Sequence, residues 1–232
     1  MRTLGIVGGI APPSTIDYYQ RLIAGYRASS PDGSYPLLLL DSIDAASFFR
    51  LLEADDRVAM ADLLVAEVGR LAGAGAGAAL FASNTPHMVF DEVAARSPIP
   101  LISLVEEAAR VADAQGLRRV GLLGARFTME GDFYPRVFGR RGISVVAPGA
   151  EDRDYVHDRY FAELVEGILL DETRQGIAAV AERMRTQQGI EAIILGGTDL
   201  SPLFRDGGSL PLPILDPTAI HVEAAIAWLL GG

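Results

Sequence analysis

One pattern occurs twice in this chain and limits what the chain can fold into. Residues 78–87 read AALFASNTPH, and residues 191–200 read EAIILGGTDL. Each is a short apolar run that stops abruptly at small residues: Ser83, Asn84 and Thr85 in the first, Gly196, Gly197, Thr198 and Asp199 in the second. A run of that length reads as a strand of a parallel sheet, buried on both faces. The residues just past its end can offer hydroxyl, amide and backbone N–H groups to a ligand. If the two runs are equivalent, Ser83 and Gly197 take matching places.

The rest of the chain repeats in the same order. Gly5–Gly9 matches Gly121–Ala125, Pro36–Leu40 matches Ile143–Val146, and IPLISLVEEAA from Ile99 matches LPILDPTAIHVEAA from Leu212. Strands are expected at Thr3–Val7, at Pro36–Leu40 with Asp41–Asp44 as a polar loop beyond it, at Ala78–Ala82, Leu101–Leu104, Arg119–Leu123, Ile143–Val146 and Ala192–Leu195. Helices are expected between them. The first starts near Ser14 as N-cap and keeps Ile16, Tyr19, Leu22, Ile23 and Tyr26 on one apolar face. Others cover Ala59–Leu71, Thr85–Ala95, Val105–Gln115 closed by Gly116, a helix after the acidic Glu151–Asp158, and Thr173–Gln188. A last helix, His221–Leu230, is expected to pack back on the first half. Gly73, Gly75 and Gly77 read equally as a shaped helix-to-strand connection or as a flexible spacer.

Alternating strands and helices predict parallel sheets with right-handed crossovers. The expected class is α/β, with two pseudo-symmetric parallel-sheet domains and the active site in the cleft between them. The repeat assigns residues 1–98 and 212–232 to the first domain and residues 99–211 to the second. A chain of 232 residues is long enough for each half to bury its own core.

Composition narrows the function. The net charge of -10 argues against a nucleic-acid groove or an anionic membrane as partner, because both need clustered Lys and Arg. There are no cysteines, which excludes thiol nucleophiles, thiolate metal sites and disulfides. No long apolar run suggests a membrane span or leader, so a cytoplasmic protein is expected. GIVGG is neither phosphate-binding glycine pattern, and His87, His157 and His221 lack ligand spacing, so no metal or cofactor is expected.

Taken together, GIVGGIAPPST, ASNTPH, GLLGARFTMEGDFY, ILGGTDLSPLF and LPILDPTAIHVEAA resemble the aspartate/glutamate racemase family, the cofactor-independent amino-acid racemases. The resemblance runs over nearly the whole chain in order. It implies two pseudo-symmetric domains, a cleft between them, a homodimer, and proton transfer at an amino-acid Cα by two cysteines, one per domain. Those cysteines fall on Ser83 and Gly197, and both are replaced. Around the first, Asn84, Thr85, Pro86 and His87 keep the family motif. Around the second, Gly196 and Thr198 remain, and Asp199 stands where the family has Glu.

The resemblance makes Asn84, Thr85 and Thr198 holders of a substrate α-carboxylate. Gly9, Thr128 and Arg50 are further binding candidates, Arg50 because a distal carboxylate suits a guanidinium fork; its alternative is a solvated helix-face charge. A serine hydroxyl lacks the thiolate's access to a basic form at neutral pH, and glycine carries nothing. The acid/base candidates are therefore Ser83, the Gly197 position, His87 and Asp199, then Asp17 and His157; for the two histidines and the two aspartates a capping or core role is the alternative. Three functions follow: an isomerase diverged from the two-cysteine mechanism, a lyase or decarboxylase needing one protonation, or a non-catalytic carboxylate-binding protein. Cysteines put back at 83 and 197 are expected to restore racemisation on an otherwise intact scaffold.

Overall fold

The computed structural model describes residues 2–30, 33–205 and 210–231. It divides into two compact units. One holds the residues up to Leu104 together with those from His221 onward, and the other runs from Val105 to Ile220.

In the first unit, β1 (Thr3–Gly8), β2 (Leu37–Ser42) and β3 (Ala78–Phe81) form a parallel sheet in the order β2-β1-β3. Side chains of β1 and β3 alternate between two cores, as a period of two requires. Leu4, Ile6 and Leu80 pack with Tyr18, Leu22 and Tyr26 of α1 (Pro12–Ser29) and with Val222, Ala225, Ile226 and Leu229 of α11 (Pro217–Leu230). Val7, Ala79 and Phe81 pack on the other face with Phe48 of α2 (Ala45–Glu53) and with Met60, Leu64, Val68 and Leu71 of α3 (Arg57–Gly73). A sheet covered on both faces explains why β3 has no polar position. A short 3-10 turn, Thr85–Val89, and α4 (Phe90–Arg96) follow β3.

The second unit repeats the plan. After α5 (Leu104–Ala114), β4 (Arg119–Leu123), β5 (Ser144–Val146), β6 (Ala192–Leu195) and β7 (Ile214–Leu215) form a parallel sheet in the order β5-β4-β6-β7. Between β4 and β5 lie α6 (Arg126–Met129) and α7 (Phe133–Gly139). Between β5 and β6 come α8 (Ala150–Arg159), a π-helical turn at Tyr160–Leu164, and α9 (Asp171–Gln188); α10 (Leu200–Arg205) follows β6. Leu123, Ile193 and Leu195 share a core with Val156, Ile177, Val180, Ala181 and Met184. Gly189, with φ of 63°, ends α9 in the left-handed conformation that glycine takes without strain. Asp216 caps α11, accepting from the N–H groups of Thr218 (2.9 Å) and Ala219 (3.2 Å).

Several expectations need correction. Pro12 and Pro13 themselves open α1 after Ala11, so Ser14 is not the cap. The buried face of α1 is Ser14, Thr15, Tyr18, Leu22 and Tyr26, whereas Ile16 and Tyr19 are 58% and 47% exposed. Asp41 and Ser42 extend β2 instead of forming a loop, because they pair with Val7 and Gly8. Residues 101–104 are not a strand: Leu101 makes a single bridge to Ala79, and helix begins at Leu104. That bridge keeps residues 99–104 with the first sheet, and β7 belongs to the second sheet. By compactness the chain divides after Leu104 and Ile220. The segment at Glu151–Asp158 is itself helical.

Candidate functional site

The first unit places Ser83, Asn84 and Thr85 just beyond β3, where all three are buried. Their backbone path is fixed by His87. The Leu104 N–H donates to His87 Nε2 at 3.1 Å, so the proton sits on Nδ1, which donates to the Asn84 carbonyl at 3.2 Å. The ring also stacks on Phe90 at 5.1 Å. Burial, then the neighbouring His221, lowers the His87 pKa to about 3. Both nitrogens are engaged and the ring is neutral, so His87 braces the strand end. His221 is neutral for the same reason: burial lowers its pKa to about 4. It accepts from the Tyr18 hydroxyl at 3.0 Å, and its Nε2–H donates to the Ile102 carbonyl at 2.9 Å.

Gly9, at the neighbouring strand end, has φ of 90°. A Cβ there would come within 2.6 Å of the Ile43 carbonyl oxygen, so only glycine fits. Its N–H donates to Thr15 Oγ1 at 2.9 Å and is thus committed internally, not offered to a ligand.

The second unit has the corresponding strand end, with Gly197, Thr198 and Asp199 beyond β6. Thr198 and Asp199 are buried. Thr128 is buried over the glycines: its side chain lies 3.4 Å from where a Cβ on Gly124 would sit and 3.1 Å from one on Gly196. Thr15 closes over Gly8 in the same manner in the first unit.

The sequence reading missed Tyr160. A Cβ on Gly197 would lie 2.4 Å from Tyr160 Cε2 and 2.8 Å from both Cζ and Oη. The phenol ring fills the volume a side chain at 197 would need, and its hydroxyl donates to Asp199 Oδ2 at 2.6 Å. Burial, followed by the Asp199 carboxylate, raises the phenol pKa well above its ordinary value. Hydrogen bonds from the Asp199 backbone and the Thr198 side chain pull more weakly the other way. Tyr160 opens the π-helical turn, which buried Glu163 holds in place. Glu163 accepts from Arg159 at 2.6 Å and from the Thr173 hydroxyl, and these bonds keep its pKa below the usual carboxylate value, Thr173 contributing most. Nothing in the spacing of Tyr160 and Gly197 links them; only the glycine itself hinted that something fills its place.

The remaining candidates lie elsewhere. Arg50 is exposed on α2 and donates to Ser47 Oγ at 2.7 Å; that hydroxyl in turn bonds Asp44 at 2.5 Å, so Arg50 belongs to a local helix-cap network. Asp17 pairs with Arg21 one turn along α1, at 2.8 Å. His157 accepts from the Arg126 N–H at 3.2 Å and caps α6. Among the described residues, no group of three or more His, Asp or Glu side chains could hold a metal ion, and no helix is long and apolar enough to cross a membrane.

This arrangement has close parallels. The Asp/Glu/Hydantoin racemase family model matches residues 7–225. A candidate Asp/Glu racemase from Yersinia pestis is 32% identical, covers 99% of this chain and 100% of its own, and superposes with a TM-score of 0.89. An aspartate racemase homologue from Pyrococcus horikoshii is 33% identical over 99% and 100% of the two chains, with a TM-score of 0.85. The broad specificity amino-acid racemase RacX of Bacillus subtilis is 24% identical over 98% of each chain. The repeated parallel sheets, the paired strand ends and these matches lead to one conclusion: the chain belongs to the Asp/Glu/Hydantoin racemase family.

Proposed function

We propose that the protein binds a small amino acid or carboxylate in a cleft between its two units and acts at the α-carbon as a diverged, cofactor-independent isomerase. The observation that carries this reading is the Ser83-Asn84-Thr85 strand end, buried and fixed through the two hydrogen bonds of His87. Such preorganised amide, hydroxyl and N–H groups suit a carboxylate, because charge-assisted hydrogen bonds are strongest where no side chain must first be ordered. Relatives that carry amino-acid racemase names point to the same substrate class. The absence of any cysteine supports a mechanism other than the two-thiol one.

A second reading, a lyase or decarboxylase, draws support from the inequality of the two ends. Ser83 carries a hydroxyl and Gly197 carries nothing, which suits a reaction that protonates one face only. The third, a carboxylate-binding protein without turnover, is an outcome of the same experiment. Cα–H loss from L- and D-aspartate and L- and D-glutamate is followed by NMR in D2O, with chiral analysis and assays for released carbon dioxide and ammonia. The isomerase reading expects exchange with inversion. Carbon dioxide or ammonia release without inversion would favour the lyase, and calorimetric binding without turnover would leave only the binding protein.

We further propose a homodimer. α1 and β2 expose Ile16, Tyr19 and Leu40 around a hollow of about 390 Å³ lined also by Pro12, Thr15 and Ser42, and a second copy of this chain suits that apolar rim. Sedimentation at micromolar concentration tests it, and a monomer would rule it out. A cytoplasmic location belongs to the same reading.

A further inference from the structure

Resting on the isomerase reading, we propose that Tyr160 is the residue through which the second unit exchanges a proton with the substrate Cα, with Asp199 as the base behind it. Three observations carry this. The phenol stands in the volume of a side chain at 197, with Oη 2.8 Å from where that side chain's Cβ would be. The same Oη donates to Asp199 at 2.6 Å, which gives it an acceptor for its own proton. It is also presented by a π-helical turn locked through Glu163, and such turns recur at functional sites because they displace one residue from the regular helical path.

The step balances without any further reagent. As the Cα–H bond breaks, its proton passes to a lone pair of Tyr160 Oη, while the original Oη–H bond breaks and that proton moves to Asp199 Oδ2. The electron pair stays on the substrate carbon, Asp199 becomes a neutral acid, and Tyr160 is a phenol before and after. The reverse sequence protonates the carbanion. A phenol whose burial opposes phenolate formation is well matched to this role, because the charge stays on the carboxylate and never on the ring. Asp199 is a positioning and proton-storing residue; Tyr160 is the one that meets the substrate.

The test measures Cα–H exchange in D2O with L- and D-aspartate and L- and D-glutamate, alongside calorimetric binding of L-aspartate. Tyr160→Phe keeps the ring and removes only the hydroxyl. It is expected to lower exchange by at least about 100-fold, the usual scale of a lost general acid/base, with affinity for L-aspartate within about threefold of wild type. Asp199→Asn is expected to match it, and Asp199→Glu to recover part of the exchange, which a purely structural role would not predict. Exchange by Tyr160→Phe near the wild-type rate would overturn this inference while leaving the isomerase reading intact. No exchange by the wild-type protein with any of the four amino acids would overturn both.

Discussion

Introducing a side chain at Gly197 is the sharpest perturbation this fold offers. The backbone at 197 is not in the left-handed region, so Gly197→Ala carries no conformational strain. By restricting the unfolded chain alone it would stabilise by about 0.4–1 kcal/mol. Against this stands a methyl group 2.4 Å from Cε2 of a buried aromatic ring. The ring cannot yield as a lysine tip would, because its hydroxyl is held by Asp199 and its centroid lies 5.5 Å from that of the Phe161 ring. Overpacking of this kind costs about 1–3 kcal/mol, and breaking a hydrogen bond to a carboxylate adds roughly 1.5–3 kcal/mol. The net destabilisation is therefore about 1.5–5.5 kcal/mol. Urea unfolding followed by circular dichroism reads it, and a double-mutant cycle isolates its cause: in a Tyr160→Ala background Gly197→Ala should cost at least about 1.5 kcal/mol less. Equal costs in the two backgrounds, or a cost below about 0.5 kcal/mol in the wild type, would refute the reasoning. The expectation that cysteines at 83 and 197 alone would restore racemisation must accordingly change. Ser83→Cys is nearly isosteric, but Gly197→Cys requires a small residue at 160 as well.

Other outcomes can be checked more simply. His87 and His221 have folded-state pKa values of about 3 and about 4 against an ordinary value of 6.5, so below that value the unfolded chain binds protons that the folded one refuses. Stability is then complete above pH 6.5 and falls as pH drops toward 4, by up to about 1.4 kcal/mol per pH unit for each histidine. A urea midpoint that stays flat between pH 7 and pH 5 would contradict this. Asn84→Ala and Thr85→Val should each weaken calorimetric binding of L-aspartate by roughly tenfold or more, the scale of one hydrogen bond to a charged group; unchanged affinity would remove the carboxylate clamp. Arg50→Ala should leave that affinity unaltered and change stability by less than about 0.5 kcal/mol, and weaker binding would return Arg50 to the site.

Much of the fold was legible because a buried parallel strand leaves a continuous apolar run. β3 and β6 have no polar residue, and their repeat located both strand ends and the α/β class. Periodicity misled at α1, where Ile16 and Tyr19 look like core on a helical wheel but face away from Tyr18, Leu22 and Tyr26. It misled again at Leu101, where one bridge to Ala79 looked like a strand because apolar content does not reveal how many residues pair. In the site, Ser83, Asn84 and Thr85 were readable as local motif, but the setting of His87 was not: a histidine in a motif looks catalytic until the Leu104 N–H is found on its ring. Tyr160 was invisible because its role exists only in three dimensions, in a space that the sequence marks solely by the lack of a side chain at Gly197.

The π-helical turn at Tyr160–Leu164 has one more consequence. Such a turn closes its hydrogen bonds over five residues where an α-helix uses four, so deleting any single residue from it would let the segment relax into ordinary helix. Everything before the deletion would then swing by about 100° about the helix axis, and the residue brought to Gly197 would no longer be the tyrosine. Chain length in this segment therefore governs the chemistry of that strand end as strictly as residue identity does. Two proteins that agree at every motif but differ by one residue between Ala150 and Asp171 need not share a reaction.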